Sequence, residues 1–124
     1  METEVITNLF VGDLADACRG FDGIVICVLE DRPEQEPIHA LWLPFLENGR
    51  ATLDSTALII ERALELGARV LVHCEEGCER APLVVAYFLR SRRAMSWDEA
   101  YALLRARRPV VQDRRRWLGP LSLR

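Results

Sequence analysis

Lysine is absent from this chain of 124 residues, whose sixteen basic side chains are all arginine; this is a compositional trait from which no function follows. Long apolar runs are missing as well. Half the residues are hydrophobic, yet no uninterrupted stretch approaches the ~20 residues that a membrane-spanning helix needs. The start, Met1-Glu2-Thr3-Glu4, is acidic where a secretory leader would be basic. A cytoplasmic location and no membrane partner are therefore expected. Histidine is scarce, with two residues. The four cysteines, Cys18, Cys27, Cys74 and Cys78, are irregularly spaced, which argues against a disulfide framework. A metal site built on His73, Cys74 and Cys78 would put its ligands on one turn with only His39 left to help, so no metal and no cofactor is expected. A net charge of −3 gives no reason to expect a nucleic-acid partner. Internal repeats, low-complexity segments and linkers are also lacking, and the length suits one domain over residues 1–124.

What the chain does have is concentrated in residues 73–82, His-Cys-Glu-Glu-Gly-Cys-Glu-Arg-Ala-Pro. A β-type run, Val70-Leu71-Val72, precedes this stretch and an apolar helical run from Leu83 to Leu89 follows it. Such a loop can curl so that the backbone N–H groups of Glu75, Glu76, Gly77, Cys78, Glu79 and Arg80 converge on an anion, helped by the positive end of the following helix. Gly77 supplies the backbone freedom. Arg80 presents a planar fork of donors suited to two phosphate oxygens. Cys74, at the floor, has its thiolate favoured by these partial positive charges and is a candidate nucleophile. His73 is expected to hold nearby backbone and support the nucleophile without reacting itself.

The rest of the chain alternates strand and helix. Val5–Val11, Ile24–Leu29, His39–Phe45 and Val70–Cys74 are expected strands. Leu53, Ala57, Ile60 and Leu64 recur at helical spacing ahead of Gly67, a helix-ending residue. Ser96-Trp97-Asp98-Glu99 reads as a capping box opening a helix that ends near Arg107. The alternation predicts an α/β fold, a central mostly parallel sheet flanked by helices on both faces. In such a sheet the loops leaving the C-terminal strand ends share one edge. Residues 46–52 would therefore lie near Cys74, which makes Glu47 the candidate general acid, with Asp54 and Asp31 as fallbacks.

The layout of residues 73–82 resembles the signature of the cysteine-dependent protein tyrosine and dual-specificity phosphatases. Two flanking segments are similar to the opening and closing segments of the small dual-specificity branch: Ile6 to Ala17, and Arg108-Pro109-Val110-Val111 followed by Trp117-Leu118-Gly119-Pro120-Leu121. Arg80-Ala81-Pro82 is nearest to the phosphatases of regenerating liver, which also carry alanine where most relatives have serine or threonine. The resemblance implies hydrolysis of phosphotyrosine, with phosphoserine and phosphothreonine as further candidates, through a phosphocysteine intermediate. The partner it implies is a phosphorylated protein or peptide. Pro44-Phe45-Leu46-Glu47 matches the family's acid segment except that the family has aspartate. Cys27 aligns with a strand cysteine that in phosphatases of regenerating liver pairs reversibly with the nucleophile; an inert buried thiol is the plainer reading. The hydroxyl that Ala81 lacks is, in most relatives, a hydrogen-bond donor to the departing sulfur.

Glu75, Glu76 and Glu79 would make the pocket mouth negative and repel a dianion, while Arg114-Arg115-Arg116 is either a solvated face or a clamp near the same edge. Trp97 and Trp117 are expected to pack, and Cys18 to be structural. Two other classes stay open at this point, a phosphate-binding pseudophosphatase with negligible turnover and a sulfurtransferase of the rhodanese type. Nothing in the sequence bears on oligomeric state.

Overall fold

The computed structural model describes residues 1–46 and 50–119. Its first elements are strands β1 (Thr3–Ile6) and β2 (Leu9–Gly12), helix α1 (Leu14–Cys18), and strands β3 (Ile24–Cys27) and β4 (Leu41–Trp42). Helix α2 (Arg50–Glu65), strand β5 (Val70–His73), helices α3 (Arg80–Arg92) and α4 (Trp97–Arg107), and a 3-10 turn at Arg115–Leu118 follow. The sheet order is β1-β2-β5-β3-β4. Among the described strands only the β1–β2 pair is antiparallel.

Because side chains alternate across a strand, β5 feeds two different layers. Val70 and Val72, with Leu9, Val11 and Ile26, face the main core against α2, α3 and α4. Leu71 and Val25 face a smaller cluster with Ala17 of α1 and Ala40. Helices thus cover both faces, unequally.

Three differences from the sequence reading have local causes. The expected strand Val5–Val11 is a hairpin, since Asn8 adopts φ 68° and reverses the chain between Ile6 and Leu9. The expected strand His39–Phe45 is reduced to Leu41–Trp42 at the sheet edge, between Pro37 and Pro44, which cannot donate to a ladder. Helix α1 spans five residues, too few to show a helical period in the sequence. It is held by a capping box in which Asp13 accepts from the Asp16 N–H at 2.8 Å and Asp16 from the Asp13 N–H at 2.9 Å. The expected strands Ile24–Leu29 and Val70–Cys74 stop slightly earlier, at Cys27 and His73, and the predicted helix ends coincide with the structure. Gly67 at φ 78° closes α2, and Ser96 with Glu99 caps α4. Among the described residues no helix is long and apolar enough to cross a membrane.

Candidate active site

The loop from His73 to Glu79 leaves the C-terminal end of the central strand and runs into α3. Every carbonyl along it is already taken. His73 O accepts from the Val28 N–H at 3.1 Å, Glu75 O from the Leu14 N–H at 3.1 Å, and Cys78 O from the Gln112 N–H at 2.8 Å. Cys74 O faces Nδ1 of His73 at 3.1 Å. Arg108 donates from Nε to Gly77 O at 2.8 Å and from Nη2 to Glu76 O at 3.3 Å. Glu79 O accepts from Leu83 N–H as the first bond of α3. The peptides of this loop are all trans, so each N–H points opposite to the carbonyl of its own peptide. With the carbonyls directed outward, the N–H groups that follow them turn toward the concave side. None of the N–H groups from Glu75 to Glu79 donates to another described residue, and no side chain caps α3. Unpaired amides beside the open end of a 13-residue helix are an anion-binding arrangement.

Gly77 allows the curl. Its φ is 71°, and a β-carbon there would lie 2.7 Å from both the Gly12 carbonyl oxygen and Nη2 of Arg108. The loop, the end of β2 and Arg108 are therefore packed backbone to guanidinium. Arg108 is buried and also donates from Nη1 to Met1 O at 2.8 Å and to Thr3 Oγ1 at 2.9 Å, tying the loop to the β1 end of the sheet.

Cys74 lies in the concavity at 4% exposure, which it lines together with Arg80, Trp117 and Leu29. Arg80 Nη1 donates to the Phe45 carbonyl at 2.7 Å, and its guanidinium carbon sits 5.5 Å from the Trp117 ring centroid and 5.8 Å from that of Phe45. Trp117, expected only to pack, is thus a wall of the site and a stacking partner of the arginine. Sequence spacing gives no sign of this contact. Glu47 lies outside the described residues. The fallback acids are placed as follows: Asp54 accepts a hydrogen bond from the Tyr87 hydroxyl on α3, and Asp31 is exposed.

The charges at the rim are only partly free. Glu75 and Glu76 are exposed, whereas Glu79 accepts from Arg114 Nε at 2.8 Å. Arg115 is drawn away to Asp113 and Asp98, at 2.6 and 2.8 Å. The Arg114–Arg116 run is therefore neither one solvated face nor one clamp. Cys78 is buried near Cys74, and burial followed by the charges of Glu79, Cys74 and Glu76 pushes its thiol upward. That makes it a poor thiolate for trapping an oxidised neighbour.

Behind the loop, His73 is fully buried, and its Nε2 lies 2.8 Å from Glu36 Oε1. Glu36 comes from the connection between β3 and β4, and sequence spacing gave no sign of it. Cys27 is the register partner of His73 on the neighbouring strand. Its thiol is pushed up to about 12 by burial, with the Glu36 charge adding to the effect. The pleat therefore groups Cys27 with His73 and Glu36, while Cys74 joins the core on the α2–α4 side. All four cysteines are free thiols.

Comparison with known proteins agrees with this geometry. Residues 23–123 match the model of the dual specificity phosphatase catalytic domain. The chain is 30% identical over 118 residues to protein 123R of Invertebrate iridescent virus 6, named as a tyrosine phosphatase, covering 88% of this chain and 81% of the viral protein. It is 29% identical over 132 residues to human dual specificity protein phosphatase 16, covering 96% of this chain but 20% of that protein. Among solved structures, human DUSP28 superposes with a TM-score of 0.78 at 23% identity, covering 98% of this chain and 89% of the other. At that identity the likeness speaks for the fold.

Proposed function

The chain belongs to the dual specificity phosphatase family, and from that premise we propose that it hydrolyses phosphotyrosine, and phosphoserine and phosphothreonine as well, on protein or peptide substrates through a phosphocysteine at Cys74. One observation carries this reading: the outward pairing of every loop carbonyl, which leaves the facing amides free above a buried cysteine. Those donors sit where the three equatorial oxygens of a transferring phosphoryl group gather charge, and donors fixed in advance need no reorganisation as that charge develops. Arg80 supplies the remaining donors. Its stacking on Trp117 and its bond to the Phe45 carbonyl hold the guanidinium at the mouth.

In the first step, the Cys74 sulfur forms a bond to phosphorus as the bond to the leaving oxygen breaks, and Glu47 gives that oxygen a proton. Phe45, two positions before Glu47 in the sequence, accepts from Arg80 Nη1, and this supports the choice of Glu47 as the acid. In the second step, water attacks phosphorus, Glu47 takes its proton, and the Cys74 thiolate departs with inorganic phosphate released. His73 acts through position, donating from Nδ1 to the Cys74 carbonyl. The whole of residues 1–124 is proposed to act as one phosphatase domain.

The test is hydrolysis of an aryl phosphate by wild type, Cys74→Ser and Glu47→Gln. Turnover is expected to vanish in the first variant and to fall about 100-fold in the second. Equal turnover in wild type and Cys74→Ser would overturn the proposal, whereas phosphate binding without turnover in wild type would favour a pseudophosphatase.

A further inference from the structure

Cys27, Glu36 and His73 meet in the interior on the α1 side of the sheet, away from the side chain of Cys74. Each offers one ligand atom, and these atoms all lie within 4.8 Å of one another. We propose that the three side chains form a buried site for a thiophilic divalent cation of the zinc class, distinct from the nucleophile and independent of the phosphatase reading.

The placement follows from the sheet. Cys27 and His73 are register partners on parallel strands, so their side chains leave the same face. Glu36 closes the group from the β3–β4 connection. Its side chain is 1% exposed, and Oε2 has no hydrogen-bond partner. A buried carboxylate oxygen without a donor is costly; a cation would satisfy it. The histidine is oriented as metal-binding histidines are. Nδ1 lies 3.1 Å from the Cys74 carbonyl, which can only accept, so Nδ1 carries hydrogen and Nε2 is the ligand atom.

Charge and geometry both fit. A thiolate, a carboxylate and a neutral imidazole around a dication sum to zero, which suits an apolar interior. The S, N and O donors match the borderline softness of zinc. Bonds of roughly 2.0–2.3 Å in a tetrahedron put ligand atoms roughly 3.3–3.7 Å apart. Here Nε2 and Oε1 are 2.8 Å apart and the full group lies within 4.8 Å, so side-chain shifts of about 1 Å suffice, with water or Oε2 filling the fourth position. Binding expels two protons, the thiol hydrogen of Cys27 and the one shared by Nε2 and Glu36. The ion would then clamp β3, β5 and the β3–β4 connection directly beneath the loop.

Zinc titration against a chromophoric chelator, with Cys74→Ser protein in reducing buffer, tests this without the nucleophile as a ligand. One zinc per chain is expected, with affinity falling by about 100-fold or more in Cys27→Ser and Glu36→Gln on that background. Folding losses in those variants are bypassed by a chain carrying Cys18→Ser, Cys74→Ser and Cys78→Ser, where Cys27 is the sole thiol. Cobalt(II) added to it is expected to give a thiolate-to-cobalt charge-transfer band. No zinc uptake by Cys74→Ser protein, or no such band with Cys27 as the sole thiol, overturns the site and leaves the aryl phosphate assay untouched.

Discussion

Arg108 donates from Nε to the carbonyl of Gly77 at 2.8 Å, across 31 residues of sequence. The same guanidinium holds Glu76 O, Met1 O and Thr3 Oγ1, so one buried side chain fixes the direction of two loop peptides. Arg108→Met keeps the apolar stem and removes every donor. The expected outcome is a lower melting temperature and a loss of about 100-fold in kcat/KM on an aryl phosphate, because the amides lose their alignment. Arg108→Lys should recover only part of this, having no fork. Steady-state kinetics beside thermal melts checks it, and a Met variant within about threefold of wild type would show that the cradle stands without the arginine.

Neutralising the rim separates the free glutamates from the paired one. Glu75 and Glu76 are exposed, and Glu79 is held by Arg114 at 2.8 Å. The double variant Glu75→Gln, Glu76→Gln should raise kcat/KM for a small aryl phosphate dianion by about threefold at low ionic strength, with the gain shrinking as salt is added. Arg114→Gln should act oppositely, by freeing Glu79. Unchanged selectivity of the double variant between phosphopeptides with basic and acidic flanks would dispose of the rim argument.

A hydroxyl restored at position 81 should speed the release of the nucleophile. Ala81 is fully buried in the first turn of α3. In Ala81→Ser the new donor can reach the departing sulfur, and one hydrogen bond to a charged group is worth about tenfold in rate. Rapid-quench measurement should show a smaller steady-state phosphoenzyme fraction. An unchanged fraction with a confirmed intermediate would count against this.

Acid should weaken the closing segment through Asp113. Burial would raise its carboxyl, but hydrogen bonds from the Arg115 side chain and backbone outweigh burial and leave it below the ordinary value. A carboxylate depressed in the folded state contributes stability above its unfolded pKa and loses it as pH falls through the folded value. Asp113→Asn should therefore lower the melting temperature at pH 7 by about 2 °C for a loss of about 0.5 kcal/mol. The difference from wild type should close below about pH 4. A constant difference from pH 7 to pH 2 would mean that the ion pair is not its source.

Much of the fold was legible because local rules carry it. The β5–loop–α3 unit was read from an apolar run, a glycine and an arginine in fixed order; the ends of α2 and α4 were read from Gly67 and Ser96. The hairpin at Asn8 and the shortened edge strand were not, since positive φ at one asparagine and two flanking prolines leave the hydrophobic pattern unchanged. In the candidate site, the proximity of Cys74, Arg80 and the loop amides is legible from their spacing. Arg108 was noticed only as part of a closing segment, and Trp117 only as a packing residue.

The linear chain by itself determined which groups the loop carries, because a cysteine, a run of backbone amides and an arginine within seven consecutive residues need only one strand before them and one helix after. Tertiary structure alone decided what surrounds that loop: Arg108 on its carbonyls, Leu14 and Gln112 at its sides, and Glu36 with Cys27 against His73. Those partners lie dozens of residues apart. Their meeting depends on strand register and on which face each pleat presents, and neither quantity is encoded in the spacing of the residues that meet.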